Sequence, residues 1–272
     1  MSVVLDFSGK VVAVTGGGRG VGAGIVAAFL EAGAHVEICG RSIPEALPGH
    51  STAEPTFRPV DVRDPGAVDG WIADILARHG RLDVLVNNVG GSPFGRFETG
   101  SPRYLQAITE INFLSAAFAS RAAYESLRAS QGAVINITSI SARRPSPGTA
   151  MYGAAKAALE SLTTSLATEW APEVRVNAVS CGLVATDGAV DHYGTPEQYA
   201  RVAQTIPRGR LAAPEEIGNV CVMLASPYSS HVTGAVLPVD GGGEWPAFLA
   251  HTPNADIVTR ADRPEHTGGE QP

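Results

Sequence analysis

The chain has 272 residues, 44% hydrophobic and 17% charged, which suits one large globular domain with a substantial core. Its formal net charge is −7 and no Lys/Arg-rich run appears, so neither a nucleic-acid surface nor an anionic-membrane surface is indicated. Cys39, Cys181 and Cys221 are far apart and the His residues are scattered, so no disulfide framework, zinc cage or other metal site is suggested.

The first residues lack the charged-then-apolar pattern of a signal peptide, and no apolar run is long enough to span a bilayer. The simplest expectation is a cytoplasmic protein. "VVAVTGGG" (Val11 to Gly18) reads as a buried strand running into a tight turn. "VGAGIVAAFLEAGA" follows as a helix with Gly33 as its stop signal, and "HVEIC" is a second strand. Residues 41–56, with Pro44, Pro48, Gly49 and Pro55, read as a loop. "FRPVDV" is a third strand, the stretch from Pro65 to Gly80 a helix, and "LDVLVNNVG" a fourth strand.

The alternation continues. Residues 103–129 are largely helical, "GAVINITS" is a strand and 150–170 a helix. "VRVNAVS" is a strand, 214–225 a helix and "GAVLPVDGG" a last strand. Strands alternating with helices imply right-handed crossovers: an α/β, single-domain Rossmann fold whose doubly wound parallel sheet has about seven strands. Two stretches stand outside the pattern. Residues 187–210 are a long excursion of mixed character and a candidate substrate lid. Residues 244–272 turn polar and Pro/Gly-containing, either a loosely held tail or an arm across a neighbouring subunit. The expected division is therefore a dinucleotide-binding catalytic domain over 1–243 and a tail over 244–272.

"TGGGRGVG" joins the first strand to the first helix. Gly16, Gly20 and Gly22 let the backbone turn sharply and approach a ligand, and the following helix points its free N–H groups at the turn. This context, strand then glycines then helix, is what a pyrophosphate site needs. A site selective for NAD usually has Asp or Glu at the end of the second strand to hold the ribose 2′-OH. Here Gly40 stands in that place and Arg41 follows. A guanidinium suits a 2′-phosphate, and Arg19 offers a second positive group, so NADP(H) is favoured and NAD(H) remains open.

The joint order of "TGGGRGVG", "NNVG" (Asn87 to Gly90), Asn112 in "INF", Ser139 in "ITSIS" and Tyr152–Lys156 in "YGAAK" resembles the short-chain dehydrogenase/reductase family over residues 8–243. Interconverting a ketone and an alcohol by hydride transfer needs a proton delivered to, or taken from, the reacting oxygen. An unperturbed phenol has a pKa of about 10, and a nearby positive charge favours the phenolate. Lys156, one helical turn from Tyr152, can supply such a charge and lower the phenol, as can an oxidised nicotinamide.

The resemblance implies a catalytic set of Asn112, Ser139, Tyr152 and Lys156. Ser139 would hold the substrate oxygen beside Tyr152, Lys156 would bond the nicotinamide ribose, and Asn112 would complete a water-linked proton path. The family's spacing selects Ser139 over Ser141, which is assigned with Leu183 to the substrate pocket. The resemblance also implies cofactor contacts at Gly16, Gly18, Arg19, Gly20, Val21 and Arg41. It places Asp61 and Val62 at the adenine, Asn88 and Gly90 beside the adenosine ribose, and Gly182, Val184 and Thr186 at the nicotinamide carboxamide.

Two positions depart from the family's pattern: Cys181 stands where Pro is usual, and Val89 where Ala is usual. Cys181 is either a reactive thiol near the nicotinamide or a small packing residue. Arg96, Arg143 and Arg144 are either receivers of an acidic substrate group, such as a carboxylate or a phosphopantetheine arm, or solvated side chains. The expected activity is NAD(P)-dependent interconversion of a carbonyl and a secondary alcohol, run as a reduction with NADPH on a 3-oxoacyl, steroid or other ketone substrate. The alternative is a non-catalytic dinucleotide-binding sensor or scaffold. The resemblance implies a homotetramer or homodimer.

Overall fold

The computed structural model describes residues 5–49, 54–186, 193–253 and 255. The sheet is built from β1 (Val11–Thr15), β2 (His35–Gly40), β3 (Thr56–Pro59), β4 (Val84–Asn87), β5 (Ala133–Ser139), β6 (Arg175–Cys181) and β7 (Val236–Val239). Every adjacent pair is parallel, in the order β3-β2-β1-β4-β5-β6-β7. Between the strands run α1 (Gly20–Glu31), α2 (Pro65–His79), α3 (Pro102–Thr109), α4 (Ser115–Ser130), α5 (Ala150–Glu169), α6 (Pro196–Gln204) and α7 (Pro214–Ala225). This is the doubly wound Rossmann architecture that the alternation of elements predicts.

The central strands are apolar at successive positions because both faces are covered. Ile25 and Phe29 of α1, with Ile217 and Cys221 of α7, bury one face. Trp71 and Ile75 of α2, with Ala123 and Leu127 of α4, bury the other. Strand order reverses between β1 and β4, and in such sheets ligands bind in the crevice beyond the strand ends at that point.

Asp83 ties β1 to β4 at the other end of the two strands. It immediately precedes β4, and its carboxylate accepts the Val11 N–H at 3.0 Å, so it ties the first residue of β1 to β4. Lys10 and Arg81 also donate to it, at 3.1 and 2.6 Å. Burial disfavours the charged form, but hydrogen bonds from Arg81, Val11 and Lys10 prevail, and the carboxyl titrates below its ordinary value. We therefore expect Asp83→Asn to cost about 1–3 kcal/mol of stability at neutral pH. A depressed carboxylate contributes stability above its unfolded pKa of about 3.9 and loses it as pH falls through the folded value. The gap between wild type and variant should thus close on the acid side, as measured by urea unfolding across pH.

Several boundaries differ from the sequence reading. The third strand was expected through Val62 and ends at Pro59, with one further bond from the Val60 N–H to the Gly40 carbonyl before the chain leaves the sheet. The fourth is confined to Val84–Asn87, because Asn88 to Gly90 leave the sheet to meet the glycine turn. The helical region near 103–129 divides into α3 and α4, joined by a π-helical turn over Glu110–Leu114. Within the proposed lid, Pro196–Gln204 is helical, opened by a reciprocal cap between Thr195 and Gln198. Residues 187–192 of that lid, and 254 and 256–272 of the proposed tail, lie outside the described residues.

Candidate active site

The glycine turn follows from close packing. A Cβ on Gly22 would lie 2.2 Å from the Gly16 carbonyl oxygen and 2.7 Å from Asn88 Nδ2, so α1 comes up against the turn in a way no larger residue permits. Gly16 itself has φ +67°. Asn88 braces the same turn: its Nδ2 donates to the carbonyls of Thr15 at 3.0 Å and Gly16 at 3.1 Å. Thr15 Oγ1 in return accepts the N–H groups of Asn88 and Val89, at 2.9 and 3.2 Å. Arg19, the residue before α1, makes no side-chain cap, so the first N–H groups of the helix face the turn.

Two cavities of about 640 Å³ each open on either side of this turn. The first is lined by Gly18, Gly40, Arg41, Asp61 and Val62, with the 42–46 loop beside it. The second is lined by Gly20, Val21, Asn88, Ser139, Tyr152, Lys156, Gly182, Val184 and Thr186. Both share Gly16, Arg19, Val89 and Gly90. Two like-sized chambers joined at a turn of bare backbone fit a ligand made of two nucleotides bridged by a pyrophosphate.

The reacting groups meet in the second chamber. Ser139 ends β5, and its Oγ also caps the following turn by accepting the Ser141 N–H at 3.2 Å. Tyr152 and Lys156 lie one turn apart on α5, with Lys156 Nζ 5.8 Å from the centre of the phenol ring. Ser139 and Tyr152 line the same chamber. Lys156 is only 2% exposed, and its ammonium donates to the Ile137 carbonyl at 2.9 Å. Burial pulls its pKa down to about 8, opposed by Cys181.

Asn112 sits behind the chamber rather than on its wall. Its Nδ2 donates to the carbonyls of Gly91 and Ile108, both at 2.9 Å, and its Oδ1 accepts the Gly91 N–H at 2.8 Å. A Cβ on Gly90 would be 2.7 Å from Asn112 Oδ1 and 2.9 Å from Lys156 Nζ, so Gly90 lets those two groups approach across it.

One expectation needs correcting. Tyr152 is not lowered: burial pushes the phenol up, with the Ser139 hydrogen bond pulling the other way. Asn88 lines the Tyr152 chamber and uses its amide to hold the glycine turn. Ser141 and Leu183, assigned to the substrate pocket, line neither chamber. Ser141 accepts from Ser146 at 3.2 Å, and the Leu183 carbonyl accepts the Ala212 N–H at 2.9 Å. Of the two readings of Cys181, packing fits: it is 6% exposed, belongs to the core, and burial pushes its thiol up to about 12. Thr15 escaped the sequence reading, although a hydroxyl at the end of a strand opening into glycines was the signal for it.

Comparison with known proteins adds independent information. A family profile described as enoyl-(acyl carrier protein) reductase matches residues 16–244. The chain is 37% identical to a 3-oxoacyl-[acyl-carrier-protein] reductase of Chlamydia pneumoniae, over 86% of this chain and 96% of the relative. It is 36% identical to an L-fucose dehydrogenase of Bos taurus, over 90% and 93%. Among solved structures, it is similar to the aldohexose dehydrogenase of Thermoplasma acidophilum in ligand-free form, with a TM-score of 0.81, 29% identity, and coverage of 88% of this chain and 94% of that one.

Proposed function

The chain belongs to the short-chain dehydrogenase/reductase family, and from that premise we propose an NADP(H)-preferring reductase that converts a ketone to a secondary alcohol. The coarser statement, an NAD(P)-dependent oxidoreductase acting on carbonyl and CH–OH groups, follows from the family and its relatives. The observation that carries the reading is the gathering of Ser139, Tyr152 and buried Lys156 in one chamber continuous with the glycine turn. A sensor or scaffold would have no use for that assembly.

A nicotinamide bound in the second chamber would supply or accept the hydride. Everything else falls to the chain. Gly16, Gly18, Gly20, Val21 and Arg19 would cradle the pyrophosphate, and Arg41, Asp61, Val62 and Gly90 would line the adenosine side. Asn88 holds the turn, while Gly182, Val184 and Thr186 flank the carboxamide side. Ser139 donates to the substrate oxygen and stabilises its developing charge. Tyr152 gives that oxygen its proton in reduction and takes it back in oxidation. Because burial raises the phenol, Tyr152 is held in its proton-bearing form, the form reduction requires. Lys156 stands one turn behind as the group that steadies Tyr152 and restores its proton, with Asn112 fixing the wall beside it.

Cofactor choice rests on Arg41. Asp61 is already engaged by the Arg63 guanidinium, at 2.9 Å from Nε to Oδ1 and 2.5 Å from Nη2 to Oδ2, and the Arg63 contact holds its carboxyl down at about 2. Arg41 makes no ion pair among the described residues and faces the same chamber. Arg41→Ala should raise the KM for NADPH by about ten- to a hundredfold, as expected for a lost charge-assisted contact, and leave NADH unaffected. Steady-state kinetics with both cofactors and a panel of ketones and alcohols test the whole reading. A wild type that prefers NADH tenfold or more would overturn the cofactor choice. Cytoplasmic location and a homodimeric or homotetrameric assembly accompany this proposal, and sedimentation would establish the latter.

A further inference from the structure

Each of the three arginines that could receive an acidic substrate group is matched to a carboxylate of this chain. Arg96 lies 3.5 Å from Glu98 and Arg144 Nη1 3.1 Å from Glu244, while Arg143 Nε donates to Glu160 Oε2 at 2.9 Å. Glu160 differs from the other two carboxylates in where it stands. It lies on α5, one turn after Lys156 and two after Tyr152, at the i, i+4, i+8 spacing that shares a helix face. Its side chain is only 13% exposed.

Both carboxylate oxygens of Glu160 are engaged, and the two partners flank Ser139. Oε1 accepts the Thr138 hydroxyl at 3.1 Å, and Oε2 accepts Arg143. Thr138 immediately precedes Ser139 and lines the Tyr152 chamber with it. Its hydroxyl has one proton and two acceptors within reach, Glu160 and the Val179 carbonyl at 3.4 Å; the shorter, charge-assisted bond is the stronger. Arg143 closes the turn that follows Ser139, its N–H donating to the Ile140 carbonyl at 3.0 Å.

The same helix meets this stretch at two more points. Lys156 donates to the carbonyl of Ile137, one residue before Thr138. A Cβ on Gly153 would lie 2.7 Å from the Ser141 carbonyl oxygen, so the first turn of α5 sits directly against the turn after Ser139. The helix bearing the proton donor is thus joined to the strand end bearing Ser139 at residues 137, 138, 141 and 143. Of the α5 residues making these contacts, Glu160 spans both sides of Ser139.

Resting on the carbonyl–alcohol reading above, we propose that Glu160 is a positioning residue for the reaction: its two oxygens clamp Thr138 and Arg143 to α5 and so hold Ser139 in register with Tyr152. Ser139 must donate to the same oxygen that Tyr152 protonates, so the spacing of their two elements decides whether one substrate atom can meet both. A displacement of about 1 Å in such a geometry can cost on the order of 10²-fold in rate. Glu160 lines neither chamber, so it acts through the residues it holds.

Single-turnover reduction separates placement from folding, followed by nicotinamide absorbance with the preferred cofactor and a ketone the panel shows to be reduced. A lost fraction of folded protein lowers the amplitude, whereas a misplaced Ser139 lowers the rate constant. Glu160→Ala should lower the rate constant by about 10- to 100-fold at wild-type amplitude, with cofactor affinity within about threefold of wild type. Glu160→Gln has one acceptor oxygen in place of two, so it keeps one of the two bonds and should lose about three- to tenfold. Arg143→Met removes one end of the clamp and should match Glu160→Gln. The Arg143 side chain is about half-exposed and an ion pair of this kind adds little to stability, so this variant tests the clamp even if Glu160→Ala does not fold. A loss of amplitude alone, or rate constants of Glu160→Gln and Arg143→Met both within about twofold of wild type, would overturn the proposal while leaving the oxidoreductase reading in place. If no ketone or alcohol in the panel turns over with either cofactor, both fall together.

Discussion

Tyr152→Phe should bind dinucleotide as the wild type does and lose turnover by roughly 10²- to 10⁴-fold, the contribution of a positioned proton donor. The substitution removes one oxygen and keeps the ring that packs in the chamber, so the cofactor contacts elsewhere on its walls are untouched. What disappears is the phenol hydroxyl, which shares the chamber with Ser139. The loss should appear in kcat, and the variant should still quench or enhance nicotinamide fluorescence on titration with NADPH. Tyr152→Phe with turnover within tenfold of wild type would mean that another group moves the proton. Buried Lys156, whose pKa falls to about 8, would be the first to examine.

Gly22→Ala should weaken dinucleotide binding by at least about tenfold and lower stability by about 1–3 kcal/mol, although it adds a single methyl. The new carbon would sit 2.2 Å from the Gly16 carbonyl oxygen, a backbone atom that cannot swing away. Either α1 retreats from the turn or the turn opens, and Asn88, which bonds the carbonyl of Gly16, loses its grip in both cases. Gly40→Ala is the matched control. It stands on the wall of the first chamber, and its added carbon would meet Phe57 at an ordinary 3.6 Å. Isothermal titration with NADPH and thermal melting of both variants would separate the two. A Gly22→Ala protein with wild-type affinity would show that the close approach of α1 is dispensable.

The parallel sheet was legible because strands buried on two faces run apolar at successive positions, as "VVAV" and "AVI" do. The helix over 214–225 was read to the residue, since Pro214 starts it and Ser226 leaves helical backbone. The π-helical turn at Glu110–Leu114 left no mark, because one extra residue per turn barely disturbs a helical apolar pattern. The capping signal "TPEQ" was present before α6, but the mixed polar surroundings hid it. At the site, the glycine spacing and the Tyr152–Lys156 interval point to where chemistry sits. The side-chain bonds that decide what each residue does are contacts distant in sequence. Asn88 reaches back to Thr15 across 73 positions, and no local pattern says whether its amide serves a ligand or the turn. The direction of the Tyr152 shift was likewise out of reach, because it depends on how deeply the phenol is buried.

The tie between Asp83 and Val11 joins residues 72 apart, and it marks the seam where the sheet changes direction. While the protein assembles, β1 can pair with β2 early, but its other edge must wait for β4. Each doubling of the loop to be closed costs only about 0.6 kcal/mol, yet non-local pairings of this kind slow folding. The two chambers lie along this same seam and share residues from both sides of it, Gly16 after β1 and Gly90 after β4. A dinucleotide spanning them binds only the closed arrangement and so draws the equilibrium toward it. The cofactor would then act on the protein's lifetime as well as its chemistry, with the cell's nucleotide pool setting how often the seam comes apart.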